Sequence, residues 1–280
     1  MIVDAHQHFW DPARGDYAWL KPENPVHRVF STNDLRPLLV QTGVDATILV
    51  QAAPTAAESD YLLGIARKTP WVLGVVGWID LAAADAAGEV RRRAEDALFL
   101  GVRPMLQDLA DPDWILQPGL TPALNAIAAE GLVFDALIVA HQLPALIELA
   151  ARHPQLAVVL DHAAKPALGD ADAMATWARG IEALAALPNV TCKVSGLLTE
   201  LQPGGSKDDI VRAIGVLFDH FGAGRLIWGS DWPVLTLAGQ YQNWFDLART
   251  AVAAKDSSAV RSVMGGNAVR IYRPSRHIRA

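Results

Sequence analysis

Short apolar runs alternate with amphipathic stretches along most of the chain. The runs are rich in β-branched residues and carry few polar interruptions, which is typical of strands covered on both faces. The stretches between them repeat apolar residues with helical spacing. Eight strands are predicted, at 2–8, 46–52, 72–79, 99–105, 132–138, 156–162, 190–196 and 225–230.

Helix start signals stand between several of these runs. Thr55 and Glu58 form a capping-box pattern before one helix, and Ser206 and Asp209 form another. An alternation of strands and helices predicts a parallel sheet, and eight repeats predict a (β/α)8 TIM barrel, taken here as a single domain over residues 1–280. An open doubly wound sheet is the alternative, which is disfavoured because no glycine-rich phosphate loop follows the first strand.

The connection after the first strand, at 9–31, is long and shows little helical pattern. It contains Trp10, Tyr17 and Trp19 together with three prolines. We therefore expect an ordered loop insertion that packs as a lid on a barrel distorted from the regular form.

Composition excludes several classes of protein. Hydrophobic residues make up 51% of the 280 residues and charged residues only 19%, which excludes intrinsic disorder. The net charge of -6 and the lack of a basic run disfavour nucleic-acid binding. The longest apolar runs are far shorter than the roughly 20 residues that span a bilayer. The single cysteine, Cys192, excludes an internal disulfide and favours a cytoplasmic protein.

Polar residues that can carry chemistry fall at strand ends. His6 and His8 lie two apart at the end of the first strand, so their side chains point to the same face. In a barrel that face is inward at the C-terminal mouth, where two imidazoles can hold a metal ion or a substrate oxygen. Asp231 ends the eighth strand, where a carboxylate can bind metal or act as a general base on water. An Asx turn before Pro233 is the structural alternative for Asp231.

The sixth strand ends in a histidine with a lysine close behind it. For His162 a structural role is the alternative to a functional one, and its neighbour Asp161 is expected to face the helices or to orient a histidine. Lys165 can reach a substrate or extend along the rim.

Two cations lie within predicted strands, where a charge is costly unless it meets an anion or a polar partner. We predict that Arg103 and Lys193 bind substrate, and a structural ion pair with Asp135 is the alternative for each. Three tryptophans fall at strand ends near the predicted mouth, where indole faces suit the C–H faces of sugars and core packing is the alternative. These are Trp10, Trp78 and Trp232.

The set of strand-end residues resembles the amidohydrolase superfamily. The chain has the HxH of His6 and His8 on its first strand, His162 on its sixth and Asp231 on its eighth, and it closes on GGNAVRIY. The motifs VDAHQHFWDP, YAWL, HAAKP and WGSDWP resemble the lactonase branch of that superfamily. Members of this branch include L-fuconolactonases, L-rhamnonolactonases and pyrone-dicarboxylate lactonases.

The resemblance implies a hydrolase in which Asp231 activates water, with His6, His8, His162 and Asp231 at the metal-site positions. Members with two metal ions place a carboxylated lysine on the fourth strand, where this chain has Arg103 or nothing. They place a histidine on the fifth strand, where this chain has Asp135. We therefore expect at most one divalent ion, zinc before others, and a turnover that need not depend on it.

The predicted reaction is the opening of a sugar-acid lactone, similar to L-fuconolactone, with a small-molecule sugar lactone as the partner. Asp231, His162 and Arg103 are the predicted catalytic residues, and Trp10, Trp78, Lys165, Lys193 and Trp232 are predicted to bind substrate. A metal-dependent decarboxylase of the same superfamily and a non-catalytic carbohydrate-binding barrel are the alternatives. The identity of the sugar, its ring size and the assembly into a homo-oligomer stay open.

Overall fold

The computed structural model describes residues 1–273, in which eight parallel strands form one sheet in sequence order. The strands are β1 Val3–Gln7, β2 Ala46–Val50, β3 Val72–Gly77, β4 Phe99–Val102, β5 Val133–Ala136, β6 Ala157–Leu160, β7 Val190–Val194 and β8 Leu226–Trp228. Each lies inside its predicted run and ends before that run does. The chain leaves the sheet at these points, and the polar residues of the mouth follow.

The two edge strands meet and close the sheet into a barrel. The backbone N–H of His8 donates to the carbonyl of Trp232, and the N–H of Asp231 donates to the carbonyl of His6, both at 2.7 Å. The (β/α)8 barrel prediction is confirmed, and the open doubly wound alternative is wrong.

Of the α-helices in residues 1–273, seven lie between successive strands and two follow β8. They are α1 Thr32–Thr42, α2 Ala56–Lys68, α3 Ala86–Ala94, α4 Thr121–Ala129, α5 Leu143–Arg152, α6 Ala171–Ala185, α7 Lys207–Phe221, α8 Tyr241–Lys255 and α9 Asn267–Tyr272. Within residues 1–273, none of the helices has both the length and the apolar character that crossing a membrane requires.

The two predicted capping boxes differ in outcome. At α7 the box forms, with the Asp209 carboxylate accepting the backbone N–H of Ser206 at 2.8 Å. At α2 only half of it forms, since Thr55 Oγ1 accepts the N–H of Glu58 at 3.0 Å. The buried Glu58 carboxylate accepts instead from the N–H groups of Ala52 and Ala53, at 2.9 and 3.1 Å. Glu58 therefore fixes the loop that follows β2.

A shift of register between β1 and β2 sets the direction of the first-strand side chains. Val3 and Ala5 belong to the apolar cluster inside the barrel, whereas Asp4 accepts a hydrogen bond from the Tyr241 hydroxyl of α8 at 2.9 Å. The shift lies between Asp4 and Gln7, and within it His6 is fully buried against Asp161, which follows β6, and Lys193 of β7. The first strand thus delivers His6 to the interior although Ala5 already faces it.

The lid predicted over 9–31 is ordered and is pinned to the barrel. Trp10 and Phe30 exchange both backbone hydrogen bonds, at 3.2 and 3.0 Å, which closes the segment into a loop. The indole of Trp10 donates to the carbonyl of Arg28 at 3.0 Å, and that of Trp19 donates to the carbonyl of Ala52 at 2.7 Å. The lid therefore holds two tryptophans over the mouth.

Candidate active site

The mouth of the barrel places one carboxylate among three imidazoles. Asp231 Oδ1 lies 3.2 Å from His8 Nε2, and 3.8 Å from both His6 Nε2 and His162 Nε2. Asp231 has φ of 60°, a left-handed backbone conformation that is costly for a residue with a Cβ. Strain of this kind is typical of functional sites, where the surrounding structure holds the residue in place.

Burial and neighbouring charge act in opposite directions on Asp231. Burial alone would raise its pKa. The electrostatic interaction with His162 outweighs burial, together with a hydrogen bond from His8 and the interaction with His6, and the pKa is held below its usual range. Asp231 is therefore ionised at neutral pH. Burial lowers the pKa of His162 to about 4, although the charge of Asp231 acts to raise it. This imidazole is therefore neutral at pH 7.

His162 begins a turn of left-handed helix that contains no glycine. Residues 162–165 have φ of 50, 51, 60 and 50°. Each such residue costs roughly 1–2 kcal/mol relative to the right-handed form. Side chains around it hold the turn in place, because Ser195 Oγ lies 2.9 Å from His162 Nδ1 and the Trp177 indole donates to the Ala163 carbonyl at 2.7 Å. The turn sets both His162 and Lys165 in the wall of the mouth.

A buried network of charges lies next to His6. Asp161 Oδ1 is 3.3 Å from His6 Nδ1 and 3.0 Å from the Lys193 ammonium. Lys193 is also 2.5 Å from Asp135 Oδ2, and Arg103 Nη1 is 3.4 Å from Asp161 Oδ2. The expectation that Asp161 orients a histidine is confirmed, and that histidine is His6.

The carboxylate partners of the two strand cations are now assigned. In the sequence analysis an ion pair with Asp135 was the structural alternative for both Arg103 and Lys193. The structure pairs Asp135 with Lys193, so this alternative is confirmed for Lys193. The same alternative is wrong for Arg103, whose carboxylate is Asp161. Burial would raise the pKa of Asp161, but Lys193 and then His6 hold it well below its ordinary value. Burial raises the pKa of Asp135 to about 6 although Lys193 opposes it.

A cavity of about 200 Å³ opens above Asp231. Six residues singled out in the sequence line it, and the lid and the loop after β4 supply several that sequence reasoning missed. Trp19 could have been found, since the lid was expected to cover the mouth, whereas no pattern marks the residues after β4. The walls are formed by His8, Trp10, Trp19, Ala52, Arg103, Met105, Gln107, Asp108, Leu137, His162, Lys165, Asp231 and Val234.

Three of the residues predicted to bind substrate lie away from this cavity. Trp232 is 2% exposed and packs edge-on against Phe9 and Phe30. Lys193 is fully buried, with its ammonium occupied by two carboxylates. Trp78 lines an adjoining pocket. The tertiary structure thus gathers some of the predicted contacts and separates others.

The donor set at the mouth fits one divalent cation. His6, His8 and Asp231 bring two ring nitrogens and a carboxylate oxygen within 4.8 Å of one another, and a second set combines His6, Asp161 and His162. His8 Nδ1 lies 2.8 Å from the Val50 carbonyl and donates to it, so Nε2 is the ring nitrogen that faces Asp231, at 3.2 Å. His6 Nε2 is buried without a hydrogen-bond partner among residues 1–273. A proton or a cation between these atoms would satisfy them all.

Comparison with known proteins places this chain among enzymes of one family. A family model described as amidohydrolase matches residues 3–273. An L-fucono-1,5-lactonase from Burkholderia ambifaria is 45% identical over 98% of this chain and 96% of the relative. Another from Burkholderia multivorans is 36% identical over 96% of this chain and 95% of the relative. The crystal structure of a Burkholderia multivorans amidohydrolase with bound zinc has a TM-score of 0.92 at 34% identity, covering 98% of this chain and 99% of that one.

Proposed function

The chain belongs to the amidohydrolase family, and we propose that it is a lactonase that hydrolyses a sugar-acid lactone, L-fucono-1,5-lactone first among them, to the aldonic acid. The observation that carries the proposal is the position of Asp231, an ionised carboxylate facing a small cavity and surrounded by three imidazoles. Two relatives that match nearly the whole chain are L-fucono-1,5-lactonases, which supports the substrate class.

In the proposed reaction Asp231 accepts a proton from water while the water oxygen bonds to the lactone carbonyl carbon. The bond from that carbon to the ring oxygen then breaks, and Asp231 returns the proton to the ring oxygen as it leaves. The product is an open-chain hydroxy acid, so that one water is consumed for each lactone. His162 contacts Asp231 from the left-handed turn, with Nε2 3.8 Å from Oδ1, and orients its carboxylate.

Arg103 is the residue proposed to stabilise the charge that develops on the carbonyl oxygen. It is 3% exposed, lies in the cavity wall and donates to the Gln51 carbonyl and to Asp161. Its Nε–H is buried and has no acceptor among residues 1–273, so the guanidinium keeps one unused donor. A preorganised donor is more effective here than in water because the Arg103 side chain is buried. Lys165 and Trp10 complete the substrate contacts that we propose for this cavity.

The proposed metal site consists of His6, His8 and Asp231 and takes one ion, zinc before others. When bound, such an ion supplies Lewis-acid stabilisation of the carbonyl oxygen. The chain also offers Arg103 for that task, and we propose that turnover does not require the ion. We further propose a cytoplasmic location, which is supported by the one cysteine, buried and unpaired in β7.

A panel of sugar lactones, with acid release followed by a pH indicator, tests the function. Hydrolysis liberates an acid, whereas a decarboxylase consumes a proton and releases carbon dioxide. Asp231→Asn keeps the shape of the side chain and is expected to lower kcat by at least about 10³-fold. Asp246→Asn, on the exposed face of α8, is the matched control and should keep full activity. If no sugar lactone releases acid, or if Asp231→Asn retains activity within about tenfold of the parent, the proposal is refuted.

A further inference from the structure

A second pocket of about 340 Å³ adjoins the catalytic cavity and is the larger of the two. Trp19, Met105 and Asp108 line both, so the two spaces share one wall. The reaction proposed above makes no use of this second pocket. Its remaining walls are Ala18, Pro54, Trp78, Ile79, Asp80, Leu81, Pro104, Leu109 and Trp114, contributed by the lid and by the loops that follow β2, β3 and β4.

The walls combine aromatic faces with carboxylates. Trp19, Trp78 and Trp114 are all accessible to solvent, Trp19 at 38%. Asp80 and Asp108 are exposed, and Asp80 Oδ1 accepts the backbone N–H of Ala82 at 3.1 Å, which leaves Oδ2 for a ligand. Of residues 1–273, no lysine, arginine or histidine lines the pocket. Such walls repel anions and suit ligands that present hydrogen-bond donors.

A pyranose ring matches this chemistry. Its C–H faces stack on indole rings, and its edge presents hydroxyl groups that donate to carboxylates. A hydrocarbon chain would use the indole faces but would leave two carboxylates partly desolvated beside it, at a cost in free energy. The combination of three tryptophans and two acidic side chains therefore favours a sugar over a lipid.

The shared wall is held in a fixed position. The Trp19 indole donates to the Ala52 carbonyl, and the Ala52 N–H is in turn bound by the buried Glu58 carboxylate. Trp10 meets Trp19 edge to face, with ring centroids 5.3 Å apart. A ring bound on either side of Trp19 thus meets a surface formed in advance, which lowers the entropic cost of binding.

We propose that the second pocket is a subsite for a second sugar ring, so that the protein takes lactones of disaccharides as well as lactones of single sugars. The lactone ring occupies the cavity of Asp231, and the glycosyl unit attached to it lies against Trp78 and Trp114. This inference rests on the proposed lactonase function and adds the substrate class that fills the adjoining space.

The test compares glucono-1,5-lactone with 1,5-lactones that carry the same reacting ring and one additional glycosyl unit. The 4-linked cellobiono- and lactobionolactones and the 6-linked melibionolactone cover two linkage directions. At least one of them is expected to exceed gluconolactone in kcat/KM by about tenfold, through a lower KM, which corresponds to about 1.4 kcal/mol. If every disaccharide lactone falls below gluconolactone, the subsite does not exist.

Variants of Trp114 separate a subsite from a structural role, since Trp114 lines the second pocket and not the cavity of Asp231. Trp114→Leu keeps an apolar side chain without an aromatic face. It is expected to lower kcat/KM for the preferred disaccharide lactone by about tenfold and that for gluconolactone by less than about twofold. Trp114→Phe should restore most of the loss, and Leu237→Ala, an exposed apolar residue that lines neither space, should change neither substrate.

Asp80→Asn tests the hydroxyl contacts, because the amide oxygen can still accept the Ala82 N–H while the negative charge is lost. It should raise KM for the disaccharide lactone alone. Equal losses on both substrates in Trp114→Leu would overturn the subsite. So would a preference for δ-decanolactone that Trp114→Leu abolishes, since the pocket would then be a hydrocarbon site. If no sugar lactone is hydrolysed, the proposed function fails together with the subsite, whereas turnover of L-fucono-1,5-lactone or gluconolactone without turnover of any disaccharide lactone removes only the subsite.

Discussion

Replacement of Lys193 by methionine is expected to destabilise the fold at pH 7 by about 3–5 kcal/mol. The ammonium is fully buried between two carboxylates, 2.5 Å from Asp135 Oδ2 and 3.0 Å from Asp161 Oδ1. Methionine preserves the apolar stem but removes the charge. Removing one partner from a buried ionic group leaves the other charge without compensation, and that accounts for most of the expected loss.

Loss of the Lys193 ammonium affects the two carboxylates to different extents. Asp161 retains Arg103 at 3.4 Å, whereas the partner that Asp135 retains among residues 1–273 is the neutral Tyr272 hydroxyl at 2.8 Å. The pKa of Asp135 is already raised to about 6 by burial, and losing Lys193 raises it further. Above about pH 6 the parent therefore has Asp135 ionised both folded and unfolded, while the folded variant keeps it protonated. For each pH unit above 6, the free energy of unfolding of the variant should therefore fall by a further ~1.4 kcal/mol relative to that of the parent.

Urea unfolding at pH 6 and pH 7 measures both the loss and its pH dependence. The double variant Lys193→Met/Asp135→Asn removes both charges and should recover stability to within about 2 kcal/mol of the parent. Lys165→Met, at the partly exposed rim, is the matched control and should change stability by less than about 0.5 kcal/mol. A loss below about 1 kcal/mol in Lys193→Met, or an equal loss in the double variant, would refute the reasoning.

Three further outcomes are expected. Arg103→Met should lower kcat/KM on the best lactone by an amount equal to about 2–4 kcal/mol of activation free energy, and a large stability loss with near-normal turnover would instead make Arg103 structural. Elemental analysis should find at most one transition-metal ion per chain, and close to two would contradict the single site at His6 and His8. Burial raises the pKa of Glu58 from 4.5 to about 7, so its contribution to stability is present below pH 4.5 and is lost by pH 7. Glu58→Gln should therefore flatten the dependence of unfolding free energy on pH by about 3 kcal/mol over that range, and an unchanged slope would contradict the assignment.

Much of the fold could be predicted from local pattern. Continuous apolar runs mark strands that are covered on both faces, and the helical stretches between them require parallel pairing, so eight repeats specify a barrel. The same logic places His6, His8 and Asp231 together, because the C-terminal ends of barrel strands converge on one mouth. The sequence also predicted that the connection at 9–31 forms an ordered lid rich in aromatic residues, and the structure confirms this prediction.

The sequence by itself determined which residues stand at strand ends, since periodicity reports the burial of each element and needs no knowledge of its neighbours. Which of those residues meet was decided by the tertiary structure. Arg103 and Asp161 are 58 positions apart, and so are Asp135 and Lys193, and only the closed barrel selects these pairs over Arg103 with Asp135. The left-handed turn at 162–165 contains no glycine that would predict it, and it is stabilised by contacts from Ser195, which follows β7, and from Trp177 of α6. The second pocket arises in the same way, from loops after separate strands that become neighbours only when the barrel closes.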